Sequence, residues 1–488
     1  MTESSSSSSG GHRRGFLRKI IVLRPLIHLI FATLLHIMAT MMVIPALTDV
    51  LLGALCPGQA ECNEAIYLTG IQQIIAGIGT MLVTPILGEL SDEYGRKPLL
   101  MIPFSAAVLP MAILAYSQSR PFVYAYMVVG TVVRIFAEGG ITCLSFAYVS
   151  DCIERRYRAL AIGVLMGSFS VGYVIGILLA RVLAQDQIFK VGELYTFKST
   201  VSSTTFQVAA VVIAFAAVYV KVFLPETNAE RGPPLLPNHS DTHQQHKRDE
   251  CRSTPLLMRS TSSITDTVLL FKQNNLLTQV AVIVFFSSLG EAGLQGSLLY
   301  YLKATFGFAK DQFAELMLIN GLASVFSQLL IMPVFVHFFG EKIVLFIAIS
   351  ASASHALLYG VAWADWVPYV CSSFSIFFVL SFPCIGSIVS KTAEPEEQGK
   401  FQGLIAGIRS FATILSPLAI SPLTALFLSK DAPFNCPGFS LIVAGSVMVL
   451  ALVQALMLQP IPPQLSKPSK LTQVAIACEE QVAAWPEF

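Results

Sequence analysis

Long apolar runs fill most of the chain, and short polar or charged segments separate them. A helix rises about 1.5 Å per residue, so roughly 17 to 25 apolar residues cross a hydrocarbon layer of about 30 Å. Six runs of that kind fall at 26–52, 66–87, 99–116, 122–149, 159–183 and 206–224, and six more at 278–302, 313–338, 343–363, 367–389, 401–427 and 439–458. The pattern predicts an all-α integral membrane protein with twelve transmembrane helices, six before and six after a polar interval. An irregular polar segment has no backbone partners in lipid, so the intervals lie at the membrane surfaces.

Charge in those intervals predicts orientation. Arg13, Arg14, Arg18, Lys19 and Arg24 precede the first run, and Arg155, Arg156 and Arg158 separate the fourth from the fifth, whereas 53–65 holds neither Lys nor Arg. Cations concentrate on the cytosolic side, so both termini are expected there, in the plasma membrane or an internal one. The division reads as a basic, irregular tail (1–24), a first bundle (25–227), a cytosolic linker (228–272) rich in Pro, His, Ser and charge, a second bundle (273–460) and a polar tail (461–488). The linker histidines form no fixed ligand cluster, and Asn238-His239-Ser240 matches a glycosylation acceptor that this topology leaves in the cytosol.

The most distinctive interval is Gly88-Glu89-Leu90-Ser91-Asp92-Glu93-Tyr94-Gly95-Arg96-Lys97-Pro98. Its glycines allow the chain to reverse, Asp92 reaches Arg96 one turn on, and Pro98 suits a helix start. Pro333, His337, Gly340 and Lys342 stand 245 positions after Gly88, Asp92, Gly95 and Lys97, and Glu394 and Gly403 stand 240 after Glu154 and Gly163. Two nearly equal offsets at corresponding intervals predict duplicated halves, the second having lost the aspartate.

Composition agrees with a membrane protein: of 488 residues 54% are hydrophobic and 12% charged, with a net charge of +1. A balance so close to neutral gives no reason to expect a nucleic-acid partner. The nine cysteines lack metal spacing. Cys56 and Cys62 share the first external loop, where an oxidising compartment would permit a disulfide, with Cys436 as an alternative partner.

Gly88, Leu90, Ser91, Asp92, Gly95, Arg96 and Lys97 resemble the signature between helices two and three of major facilitator superfamily transporters. Arg134-Ile135-Phe136-Ala137-Glu138-Gly139-Gly140, Ala147 to Asp151 and Gly163, with Pro333 to Lys342 and Pro383 to Gly403, are similar to the tetracycline-resistance exporters and the hippocampus-abundant-transcript-like proteins. Two positions depart from that pattern. Tyr173 replaces a proline among Gly167, Gly172 and Gly176, and His36 stands where the bacterial exporters tend to carry an acid.

The resemblance implies two six-helix bundles rocking about a central cavity. It also implies a cytosolic gate made of Gly88, Asp92, Gly95, Arg96, Lys97, Asp151 and Glu154, latched against helix eleven, where Arg409 is expected to reach Asp92 or the interface. Charge inside a bilayer is costly and points to function, which singles out Arg134 and Glu138, one turn apart on helix four, and Glu291 between glycines on helix seven with Gln295 one turn away. His36, His355, Gln73 and Asn320 complete the expected substrate or proton pathway, although a lone membrane His or Asn also serves as a packing hydrogen bonder. The function expected is secondary transport of a small organic solute by alternating access, with or without proton coupling. A receptor or scaffold of the same shape and an uncoupled facilitator are the alternatives. No nucleophile–base constellation or phosphate loop suggests an enzyme or an ATP-driven pump, no cofactor is expected, and a monomer suffices.

Overall fold

The computed structural model describes residues 7–55, 63–188, 197–226, 274–308, 310–394, 397–428 and 432–458. The linker, Cys56, Cys62, Asn238 and the tail after 458 lie outside the described residues. The described residues are helical, without strands. Eleven apolar segments are long enough to cross a membrane, one of which, Glu315–Gly360, has 46 residues. As a straight helix it would measure about 69 Å, more than twice the hydrocarbon thickness. It breaks at Gly340, whose φ of 76° and ψ of 164° are not helical, so it makes two passes and the total is twelve.

Helix one covers Ser7–Leu55, two Asn63–Tyr94, five Arg158–Ile188, six Phe197–Phe223 and seven Asn275–Phe306. Helix eleven covers Gln398–Leu428 and twelve Phe439–Leu456. Helix three is Arg96–Ala106 and Val108–Tyr116, and helix four is Arg120–Ala137 and Gly140–Cys152. Helix eight runs from Lys310–Phe326 through a π-helical turn at Ser327–Ile331 into Met332, and helix nine follows Gly340 to Gly360. Helix ten consists of Val367–Ser373, Ser375–Phe378 and Ser381–Thr392.

One expectation is corrected at the N-terminus. The segment from Ser7 onward, read from its Ser and Gly content as an irregular tail, is helical and continuous with helix one. Extending an existing helix fixes one residue per hydrogen bond, whereas starting one is costly, so the apolar span carries its polar leader along.

Each half has its own apolar core. Leu100, Phe104, Leu144, Tyr148 and Ile162 are fully buried in the first, and Ile283, Leu345, Ile388 and Ala451 in the second. Small residues bring helices close: a Cβ at Gly172 or Gly176 would meet the backbone oxygen of Leu34 or Met38 in helix one at 2.9 and 2.5 Å. Outward faces stay apolar, as along Val211, Phe215, Val218 and Val222 on helix six, which are more than half exposed and spaced to form one stripe. Such a surface suits lipid as its solvent.

The repeat is visible in the backbone. Gly95, with φ of 100° and ψ of 158°, occupies the place in the first half that Gly340 occupies in the second. Both sit in a region that side-chain-bearing residues avoid, which accounts for glycine at each. We call the membrane face bearing these two turns the charged end.

Candidate functional site: a central cavity and a latch at the charged end

A cavity of about 840 Å³ lies between the halves, walled by helices two, four, seven, ten and eleven. Toward the charged end it is closed by tight packing: a Cβ at Gly386 would lie 2.5 Å from the Phe146 ring, and the Cys143 thiol donates to the Gly399 carbonyl at 3.8 Å. Toward the opposite end it widens past Gly70 and Gly296, where an added Cβ would meet nothing within 4 Å.

Gln73, Arg134, Glu138 and Gln295 all line this cavity. Arg134 and Glu138 form a loose pair at 3.8 Å with side chains 44% and 58% exposed, so both face the cavity and neither is sequestered between helices. Their position follows from Gly139: an added Cβ there would meet Thr84 Oγ1 at 2.6 Å, so glycine lets helix four lie against helix two just where the pair turns into the opening.

Arg409 departs from expectation. It does not reach the charged end or Asp92; it lines the cavity, its guanidinium carbon 3.8 Å from the centroid of the Phe382 ring. Helix eleven begins at Gln398, so Arg409 lies about three turns, or about 16 Å, along its axis, and stacking on an aromatic face holds the side chain there. Among the described residues it makes no hydrogen bond or ion pair through its side chain.

Glu291 is half-buried on helix seven and is not a wall residue, although Ala292, Gln295 and Gly296 are. The nearby glycines do not interrupt helix seven. Two are packing positions: a Cβ at Gly290 would meet the Ala444 carbonyl at 2.7 Å, and one at Gly293 would meet Ile420 at 2.8 Å.

Three further candidates lie off the cavity. His36 is buried with its ring 5.0 Å from that of Phe104, and His355 is buried between Tyr359 and Phe378. Asn320 sits on helix eight next to Gly321, which packs on Val174 of helix five.

At the charged end, Arg96 is buried and makes three bonds: to Asp92, to Ser91 Oγ at 2.5 Å and from Nε to Asp151 Oδ2 at 2.9 Å. Asp92 in turn reaches the other half, its carboxylate accepting from the backbone N–H of Gly399 at 3.0 Å and of Lys400 at 2.8 Å. It therefore caps the first turn of helix eleven, where unpaired N–H groups and the helix dipole favour an anion. Gly88 makes the approach possible: an added Cβ would stand 2.1 Å from the Gly399 oxygen. Gly95 provides the turn into helix three, and Lys97 contributes its backbone N–H to Glu226 Oε2 at 3.1 Å, beside Arg96 N to Oε1 at 3.0 Å. Glu226 was not among the residues singled out by sequence; an acid following the Leu224-Pro225 end of helix six was the available signal. Glu154 is exposed and makes none of these bonds.

The second half repeats the framework with reversed polarity. Glu341 and Lys391, at the places of Arg96 and Asp151, pair at 2.6 Å, and Ser387 donates to the same carboxylate oxygen at 2.7 Å. Arg158 donates to the Ile153 carbonyl at 3.2 Å as its counterpart Gln398 donates to that of Ala393 at 3.0 Å. At the junction, Ser390 Oγ donates to Ser150 Oγ at 2.6 Å, and Arg158 bridges the carbonyls of both serines at 2.7 Å. His337, at the place of Asp92, is exposed against Phe338.

Comparison with known proteins gives the same architecture. The mouse hippocampus abundant transcript 1 protein is 24% identical over 361 residues, covering 73% of this chain and 65% of that protein, so the match spans just under two thirds of the relative. A class H tetracycline resistance protein of Pasteurella multocida is 23% identical over 350 residues, 71% of this chain and 77% of the other. The crystal structure of the human organic anion transporter MFSD10 (TETRAN) superposes with a TM-score of 0.66 at 18% identity, covering 89% of this chain and 99% of that one. The family model of the Major Facilitator Superfamily matches residues 29–417 and, overlapping, 280–485. With most of the chain matched and the twelve-pass, two-half fold in place, this protein belongs to the Major Facilitator Superfamily.

Proposed function

We propose that the protein is a secondary transporter that carries a small organic solute across its membrane by alternating access. The observation that carries this reading is the pairing of a central cavity with a one-sided seal between two repeated halves. The seal is made of hydrogen bonds and glycine contacts, which can be released and remade without unfolding either core. The basic residues at the charged end support a cytosolic position for it, and on that reading the cavity opens away from the cytosol.

Binding of solute shifts the balance between sealed and released states only if the solute contacts differ between them. Arg134 and Glu138 on one half and Arg409 with Phe382 on the other are the cavity groups whose separation changes as the halves rock. Glu291, next in the chain to the wall residue Ala292, is the carboxyl that would couple that change to a proton. Flux of an amphipathic solute library into sealed proteoliposomes, with and without a pH gradient, tests the reading. Saturable flux is expected, and loss of uphill movement in Glu291→Gln would support proton coupling. Absence of flux for every compound, with the protein folded, would overturn the proposal in favour of a receptor or scaffold.

A further inference from the structure

We infer that Arg409 and Phe382 form an anion site in the cavity wall that takes the carboxylate or sulfonate of a flat, aromatic, singly charged organic acid. The statement that this anion is cargo rests on the transporter reading above; the site itself rests on geometry.

Formal charge on the wall leads to the sign. Among the wall residues only Arg134, Glu138 and Arg409 carry charge. Arg134 and Glu138 compensate one another at 3.8 Å, leaving Arg409 as the excess. A guanidinium offers five N–H donors and is never deprotonated under ordinary conditions, yet among the described residues this one spends none of them. Glu291 stands off the wall and makes no ion pair with Arg409 among the described residues, so a ligand anion meets the unused donors of a single excess cation. That arrangement favours one negative charge over two.

Shape leads to the ligand body. At 3.8 Å the guanidinium lies at stacking distance over Phe382, and Phe382 tilts against Phe146 with centroids 5.4 Å apart. A planar cation laid on an aromatic ring keeps its N–H edge available for a two-oxygen acceptor, and guanidinium and aromatic planes stack well on further flat groups. Apolar walls from Ile385, Ile405 and Ile414 suit a ring system, and the volume of about 840 Å³ falls within the range of about 300–1,000 Å³ typical of small-molecule sites. Gln402 donates from Nε2 to the Gly386 carbonyl at 2.9 Å, which holds the floor beneath the pair rigid.

Binding of tritiated 2-naphthoate to the full-length protein in zwitterionic lipid nanodiscs tests the site, with competition by 2-naphthamide, 2-naphthylmethylamine and decahydro-2-naphthoate. The expected order is naphthoate first, with the neutral amide about tenfold or more weaker, as a charge-assisted bond is exchanged for a neutral one. Arg409→Gln should erase that advantage and leave the amide unchanged. Arg409→Lys should keep the preference for charge while weakening binding, which separates loss of the site from loss of the fold. Phe382→Leu should narrow the gap between naphthoate and its saturated analogue. Preference for the amine, equal binding of acid and amide, or naphthoate affinity unaffected by Arg409→Gln would overturn the site. Arg409-dependent binding with no flux of naphthoate or of any library compound in proteoliposomes would keep the site and remove the transport reading; flux of neutral solutes without anion binding would do the reverse.

Discussion

The two halves hold their charged ends together with the same geometry and opposite signs. In the first, a buried arginine on helix three meets an aspartate on helix four; in the second, a buried glutamate on helix nine meets a lysine on helix ten. What the fold requires at this place is a compensated pair, because either charge alone would lie buried without a partner. The sign is free to differ as long as both members change. The halves are unequal in reach, however. Asp92 caps helix eleven of the other half, while exposed His337 offers helix five no carboxylate, so the seal is pulled shut from one side.

The largest effect should come from removing the centre of the first network. Arg96→Leu leaves Asp92 and Asp151 facing one another and should cost about 3–5 kcal/mol, read as a marked fall in the unfolding temperature of the purified protein. An unchanged temperature would mean that the pair is not what holds this end. Glu341→Lys should cost less: it sets an unpaired ammonium at a buried position, but Lys391 is 21% exposed and can turn toward water, which relieves the repulsion that the two trapped aspartates cannot escape. Combining it with Lys391→Glu should recover most of the loss; failure to recover would show that the second half depends on polarity and not on pairing alone.

Intermediate effects should appear in the seal and leave each core intact. Gly88→Val cannot keep its present approach to Gly399, since even the Cβ would stand 2.1 Å from the carbonyl oxygen. Buried Cys143, next to that carbonyl, should then be alkylated about ten times faster by a membrane-permeant maleimide. Asp92→Asn preserves shape but loses the charge on the helix terminus and the ion pair with Arg96, and its amide nitrogen must face a donor, so alkylation should rise by at least about two- to fivefold. The smallest effect belongs to His337→Asn, for which the rate should stay at the wild-type value. A response equal to that of Asp92→Asn would abolish the asymmetry argued above.

Much of this arrangement was legible in the sequence, for reasons that mark where legibility stops. Lipid forces long apolar runs, so the spans and the turn at Gly88 to Pro98 declare themselves. The offset of 245 positions pairs Gly95 with Gly340, and the backbone angles agree. Carried one residue further, the same offset pairs Arg96 with Glu341, and the offset of 240 pairs Asp151 with Lys391, so the sign reversal lay in the sequence for anyone comparing the two pairs together. Arg409 was misread because its depth depends on where helix eleven starts, and on Phe382, which lies 27 positions earlier on helix ten. The off-cavity histidines were beyond reach for a related reason: periodicity shows that a residue lies in a span, while the face it turns inward is decided by neighbouring helices.

The bond between Ser150 and Ser390 joins a residue to its own counterpart, which is the mark of an isologous contact between two copies of one unit. A seam of that kind is indifferent to which copy comes first in the chain. It follows that the two six-helix units have the means to recognise each other without a covalent connection. Co-expressed as separate polypeptides cut within 227–273, they should copurify, and Ser390→Val should weaken that association by removing the donor that the buried Ser150 hydroxyl accepts from, while Ser150 keeps its own bond to the Phe146 carbonyl.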